Sequence, residues 1–294
     1  MALPRPVPLS FELFPPRQQA EMARIAETIS PLRSLDPDFI SVTYGAGGSS
    51  RGRTLDALAR LTRERGPVLA GHLTCAGCPR DVTLAVAERY ADMGVSEIIA
   101  LRGDPPETDE RPGDEFADAV DLVAALSDMG KFTVRVACYP EVHPLAQSPE
   151  ADIDVLKAKF DAGADTAITQ FFFDIDAYDR FMERCARAGI AERIIPGIMP
   201  IQSFCGIARF ARHCGTSIPV WLRDAFAHVE TKEQHDLLSL SICTELADDL
   251  IARGAPGLHF YTLNKPDLAV ATCRALGLRQ MAEPVQASGL KAAV

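Results

Sequence analysis

Ile98-Ile99-Ala100-Leu101-Arg102-Gly103-Asp104-Pro105-Pro106 is the stretch that decides the fold. Four consecutive apolar residues describe a strand buried on both faces, and such strands belong to parallel sheets covered by helices. The run stops on two opposite charges around a glycine. In α/β folds, the carboxyl ends of the strands are where ligands bind.

The same unit recurs in both directions. Apolar, β-rich runs fall at 9–14, 39–43, 68–73, 98–101, 133–138, 167–172, 194–198 and 258–261. Between them, apolar residues return at helical spacing, as in Met22, Ile25, Ile29 and Leu32, in Leu55, Leu58 and Leu61, and in Ile153, Leu156 and Phe160. Gly94, Gly130, Gly163, Gly189 and Gly254 stand where helices should close, and Ser148-Pro149 has the chemistry of a helix start. Eight βα units within 294 residues predict a (β/α)8 TIM barrel, single domain, over 9–282, after an N-terminal extension at 1–8 and before a disordered tail at 283–294. A doubly wound sheet is the alternative, but no Gly-x-Gly-x-x-Gly follows the first strand.

Composition removes several classes of partner. A net charge of −10 without a basic cluster argues against nucleic acid. No apolar run reaches the roughly 18–20 residues that span a bilayer, and residues 1–8 lack a signal peptide's apolar stretch. A cytoplasmic protein that acts on small molecules, assembled as a homo-oligomer, is expected. Of eight cysteines, six are scattered in apolar contexts. Cys75 and Cys78 form a Cys-x-x-Cys pair with His72 upstream, but no second pair completes a zinc site, and no metal is expected.

Polar residues gather at the predicted strand ends. Glu12 lies in strand one, Thr43-Tyr44-Gly45-Ala46 ends strand two, and His72 and Thr74 end strand three. Arg102-Gly103-Asp104 ends strand four, and Tyr139 to His143 ends strand five. Gln170 follows strand six, and Tyr261 and Asn264 the last. Each has a plain structural reading: Arg102 and Asp104 as a salt bridge, His72 as a satisfied core histidine, Gln170 as scaffold. Glu12, among Phe11, Leu13 and Phe14, should have a raised pKa. No Ser/His/Asp order, Schiff-base lysine or metal cluster is evident. The mixture suits an aromatic, hydrogen-bonding cofactor and a planar substrate.

At these residues the chain resembles the methylenetetrahydrofolate reductases, flavin-dependent barrels of one-carbon metabolism. The resemblance rests on seven segments in order. They are Ser10-Phe11-Glu12-Leu13-Phe14-Pro15-Pro16-Arg17, Ser41-Val42-Thr43-Tyr44-Gly45-Ala46, His72-Leu73-Thr74-Cys75, Ala100-Leu101-Arg102-Gly103-Asp104, Tyr139-Pro140-Glu141-Val142-His143-Pro144, Ile168-Thr169-Gln170-Phe171-Phe172-Phe173-Asp174, and His259-Phe260-Tyr261-Thr262-Leu263-Asn264. It implies a non-covalent FAD, NADH or NADPH as co-substrate, and ping-pong reduction of 5,10-methylenetetrahydrofolate to 5-methyltetrahydrofolate. By motif position Glu12 is the implied general acid, and Asp104 faces flavin and folate. Thr43, Tyr44, Ala46, His72, Arg102, Gly103, Phe116, Ala117, Tyr139, His143, Ala146, Asp152 and Lys159 are the implied FAD contacts. Gln170, Phe210, Tyr261 and Lys265 join Glu12 and Asp104 as implied substrate contacts. Lys265 replaces the family's usual arginine and lacks its bidentate fork. Val155 and Ala158 stand where relatives carry polar FAD contacts, and the glutamine often found near Gly206 is missing. The rival readings are a flavin-free folate-binding methyltransferase barrel and a non-catalytic folate- or nucleotide-binding protein.

Overall fold

The computed structural model describes residues 7–44, 51–64, 66–104 and 115–278. Ala46, most of the 1–8 extension and all of the 283–294 tail fall outside the described residues.

Parallel strands alternate with helices throughout. β1 (Leu9–Leu13), β2 (Phe39–Val42), β3 (Val68–Thr74), β4 (Glu97–Leu101), β5 (Thr133–Cys138) and β6 (Thr166–Thr169) pair in sequence order. The seventh unit's strand is cut into β7 (Ile194–Ile195) and β8 (Gly197–Ile198). β7 pairs with β6 and β8 with β9 (Leu258–Tyr261), while β9 also pairs with β1, so the sheet closes into a barrel. Pro196 separates the halves and brings no N–H to the ladder. Its carbonyl still accepts from His259 N at 3.0 Å. Nine strand segments thus occupy eight barrel positions.

The helices are α1 (Gln19–Ala23), α2 (Ile25–Arg33), α3 (Arg51–Leu61), α4 (Arg80–Asp92), α5 (Ala119–Met129), α6 (Pro149–Asp161), α7 (Ile175–Arg187), α8 (Phe204–Cys214), α9 (Val220–Ala227), α10 (Lys232–Ala252) and α11 (Asp267–Ala275). Their apolar faces pack on the outward residues of the strands in one continuous core, which holds Leu9, Phe11, Leu13, Ile98 and Phe260 at complete burial. Inside the barrel a smaller cluster of Phe39, Ala70, Ile99 and Ile168 fills the middle layer. A third cluster, Phe171, Phe173, Met199, Ile201 and Ile207, lies under α8 and α9. Among the described residues no helix is long and apolar enough to cross a membrane.

Local expectations hold in detail. Ser148 Oγ accepts from Ala151 N (3.1 Å) with Pro149 opening α6, and all five predicted closing glycines adopt positive φ. Others need correction. The first helical stretch is two helices broken at Arg24. β6 stops at Thr169, and of the three phenylalanines after it Phe171 and Phe173 turn into the α8–α9 cluster while Phe172 packs in the main core. The predicted seven-to-eight connection holds three helices, because α8 and α9 are added at the rim before α10 returns along the barrel.

Candidate active site

The carboxyl ends of the strands enclose one continuous depression. An outer cleft of about 1050 Å³ runs past Arg17, Thr43, Arg53, Arg102, Asp104, His143, His213 and Asn264. Beneath it a chamber of about 270 Å³ descends into the barrel mouth to Glu12, His72, Ile99, Ile168 and Met199. Phe14, Tyr44, Tyr139, Gln170, Phe210 and Leu263 border both. The cleft reaches the upper end of the roughly 300–1,000 Å³ span of ligand pockets, enough for a dinucleotide.

Strand alternation sets the floor of the chamber. Ser10 and Glu12 project to one side of β1, Phe11 and Leu13 to the other, and β9 places His259 beside Ser10 and Tyr261 beside Glu12. Glu12 Oε2 lies 3.2 Å from His72 Nε2 and 3.8 Å from His259 Nε2. Ser10 Oγ meets His259 Nδ1 at 2.8 Å and Leu258 O at 3.4 Å. The two Nε2 atoms are buried and point at Glu12 without an aligned hydrogen-bond partner.

The raised Glu12 pKa expected from its apolar neighbours is overturned. Burial does push the carboxyl up, and it is the largest single influence. Attraction to the His72 and His259 imidazoles outweighs it and holds the group at about 2. The sequence showed the neighbours along the chain; the imidazoles come from across the barrel. His259, fully buried, is pushed toward its neutral form by desolvation, against the pull of Glu12.

The charge break that marked β4 forms one wall. Gly103 sits at φ +79°, and a Cβ there would lie 2.9 Å from Thr74 Cβ, so a side chain is excluded on both counts. Arg102 turns its Nε back to the Gly103 carbonyl (3.3 Å), and among the described residues it makes no ion pair with Asp104, which is exposed on the cleft. The Arg102 carbonyl accepts from Cys75 N and Ala76 N, tying this turn to the end of β3. Cys75 is buried, its thiol pushed up to about 11, whereas Cys78 Sγ receives a hydrogen bond from Arg51 (3.1 Å). No group of three or more metal-ligating side chains occurs among the described residues.

The next wall is built after β5. Tyr139 and His143 meet edge to face at 4.6 Å, and burial pushes the Tyr139 phenol up to about 12. His143 N donates to Asp152 Oδ2 (2.9 Å), and its ring, kept toward neutral by burial, accepts from Leu145 N. Ala146 N closes the same turn on His143 O. Lys159 donates to Ala137 O (2.9 Å), and burial lowers its pKa. Opposite, Phe210 stacks on Phe171 at 5.6 Å and stays 37% exposed, an aromatic face offered to the cleft. Tyr261 donates to Thr169 O (2.7 Å), and Gln170 Oε1 accepts from Phe171 N. Tyr44 closes the roof, its hydroxyl accepting from Arg51 Nε at 2.8 Å.

The structure therefore gathers Glu12, Thr43, Tyr44, His72, Arg102, Asp104, Tyr139, His143, Gln170, Phe210 and Tyr261 around one space. It does not bring all the candidates there. Phe116 is buried under the Arg80 guanidinium (4.1 Å), Ala117 N donates to Asp121, and Lys265 is exposed beside the cleft. Residues with no individual role at the sequence level also enter. His259 and Ser10 support Glu12, and Arg17, Arg53 and His213 add cationic or ionisable groups to the cleft. Period-two alternation on the first and last strands was the available signal: once a barrel makes those strands neighbours, His259 and Glu12 must share its interior.

Fold and site together define a barrel enzyme whose organic ligands enter at the carboxyl ends of its strands. Residues 5–277 match the family model for methylenetetrahydrofolate reductase. A 5,10-methylenetetrahydrofolate reductase of Pectobacterium carotovorum subsp. carotovorum is 40% identical over 272 residues, which is 92% of this chain and 90% of that protein. Methylenetetrahydrofolate reductase (NADH) 1 of Arabidopsis thaliana is 35% identical over 284 residues, 92% of this chain but 48% of that longer protein. A Clostridium thermocellum protein described as binding two copies of 5-methyl-5,6,7,8-tetrahydrofolic acid shares the fold at 15% identity, with a TM-score of 0.62 over 92% of this chain and 94% of that one. The chain belongs to the methylenetetrahydrofolate reductase family, enzymes that reduce 5,10-methylenetetrahydrofolate.

Proposed function

We propose that this chain reduces 5,10-methylenetetrahydrofolate to 5-methyltetrahydrofolate with a non-covalent FAD and NADH or NADPH, and that Glu12 supplies the proton. The observation that carries this reading is the Glu12 carboxylate set against two imidazoles at the floor of a chamber open to a dinucleotide-sized cleft. The NADH in the plant relative's name supports the nicotinamide.

The residues present fit FAD. The cleft is large enough, Tyr44, Tyr139 and Phe210 border it with aromatic rings, and Arg102 offers a guanidinium for an anionic group. Thr43, Tyr44, His72, Arg102, Gly103, Tyr139 and His143 would hold it, with Asp152 and Lys159 behind the β5 wall and Phe116, Ala117 and Ala146 at its margins. When bound, FAD supplies hydride transfer, taken from NAD(P)H and given to the folate.

The protein's part is proton supply and orientation. Glu12 delivers a proton to the bridging nitrogen of the folate ring, the C–N bond breaks toward that nitrogen, and an electrophilic iminium is left to accept hydride. A planar ligand over the chamber strips the remaining solvent from Glu12, which is 13% exposed, and so favours its protonated form. His72 and His259 keep the proton within reach. Gln170, Phe210 and Tyr261 orient the substrate's ring, Asp104 lies at the mouth, and Lys265 attracts the anionic tail of the folate.

The test is to titrate FAD into purified protein, bleach the oxidised-flavin absorbance with NADH, and restore it with 5,10-methylenetetrahydrofolate. Protein that takes up no FAD refutes the flavin reading. Bleaching that methylenetetrahydrofolate does not reverse refutes the assigned reaction.

A further inference from the structure

Charge also lies below the chamber. Arg135 on β5 donates to Glu97 on β4 at 2.8 and 3.1 Å, and to Thr166 Oγ1 on β6 at 2.7 Å. Each charged side chain is only 12% exposed. The Arg135 guanidinium covers the Phe39 ring at 4.2 Å. The same ring stacks on His259 at 5.8 Å with the planes 23° apart. Guanidinium, phenyl, imidazole and carboxylate thus form a file from the barrel floor to Glu12.

Barrel interiors are mostly filled by branched apolar side chains, and a buried ion pair seldom stabilises more than such residues would. Stability alone gives little reason for this pair to stand one aromatic ring beneath the proton site. We propose that the Glu97–Arg135 pair is a positioning element that sets the proton affinity of the Glu12–His72–His259 cluster, with Phe39 as the spacer that keeps the guanidinium off the imidazole. The inference rests on the reading of Glu12 as the acid.

Among the described residues, five strands bring polar or aromatic groups to His259. β1 contributes Glu12 and Ser10, β2 the Phe39 ring, β3 His72, and β9 itself Tyr261. Arg135 acts on it from β5, and its guanidinium is bound to Glu97 of β4, which is not among the groups that act on His259 directly. Burial, His72 and Arg135 all disfavour a proton on His259, and Glu12 favours one. Glu97 offsets part of the Arg135 charge. A full charge roughly 10 Å away, at an effective dielectric of about 20, displaces a proton affinity by about one pH unit.

Two variants separate this from a structural role. Glu97→Gln keeps a hydrogen-bonding side chain but leaves the Arg135 charge uncompensated. The alkaline limb of folate reduction should move down by about half a pH unit to one unit. Glu97→Gln with Arg135→Gln removes both charges, and the limb should move above the wild-type position. A structural role would scale the rate at every pH and leave the limb in place. The second readout needs no cofactor: ¹⁵N titration of the His259 ring in flavin-free protein should shift in the same two directions. If Glu97→Gln does not fold, the double variant is measured alone, and a His259 ring that titrates there as in wild type overturns the proposal. A His259 titration that shifts while the rate limb stays fixed sustains the charge coupling and refutes Glu12 as the acid.

Discussion

His72 Nε2 stands 3.2 Å from Glu12 Oε2 in a chamber whose other walls are largely apolar or aromatic. The carboxylate is therefore held as an anion by partners that strands β3 and β9 deliver, and it can regain a proton only within that cluster. Its chemistry and the protein's response to acid both follow from this pairing.

Glu12→Gln removes the proton but preserves shape. NADH should still bleach the flavin at a rate close to wild type, while folate reduction should fall by about 10²–10⁴-fold, the usual contribution of a positioned acid. Stopped-flow measurement of the two half-reactions checks this. Near-normal folate reduction would take Glu12 out of its role.

The depressed Glu12 pKa also predicts an acid limit to stability. The carboxyl's ordinary value is 4.5 and its folded value about 2, so its contribution is complete above pH 4.5 and disappears as pH falls toward 2. The difference amounts to at most about 3 kcal/mol. Glu12→Gln has no such contribution to lose, and its melting temperature should fall less steeply over that window. Parallel curves for both proteins would contradict the pairing.

Gly103→Ala should be costly despite its small size. A φ of +79° and a Cβ 2.9 Å from Thr74 Cβ oppose it together. The expected loss is about 1–3 kcal/mol, visible as a lower unfolding midpoint in denaturant. FAD affinity should fall as well, because the displaced backbone belongs to the cleft wall.

Asp104→Asn tests the neighbouring position. Asp104 is exposed and takes part in no ion pair among the described residues, so stability should change by less than about 0.5 kcal/mol. Folate reduction should nevertheless fall roughly tenfold or more, with flavin uptake retained. Equal losses in stability and rate would make the residue structural.

The barrel was legible because its strands are buried on both faces, and runs such as Ile98 to Leu101 have no other comfortable place. The rim was legible for the same reason, since each run stops where polar side chains begin. What stayed hidden was anything that depends on closure. The cut at Pro196 looked like one strand, because Ile194, Ile195 and Ile198 read continuously across it. Glu12 looked like a carboxyl in an apolar pocket, because His72 and His259 lie far away along the chain. α8 and α9 were hidden by their short apolar stretches, which pack at the rim against Phe171, Phe173, Met199 and Ile201.

The junction of β1 with β9 has a consequence for biosynthesis. It joins the first strand to the last, through Thr262 on the Glu12 carbonyl (2.7 Å) and Asn264 on both the N–H and the carbonyl of Phe14 (2.9 Å each). During translation Glu12 leaves the ribosome long before His259 exists, so an incomplete barrel presents an unclosed strand edge and an acidic group without its second imidazole. A nascent chain that stalls before β9 keeps the edge of β1 unpaired, open to the strand of another unfinished copy, and leaves the Glu12 carboxylate with His72 alone.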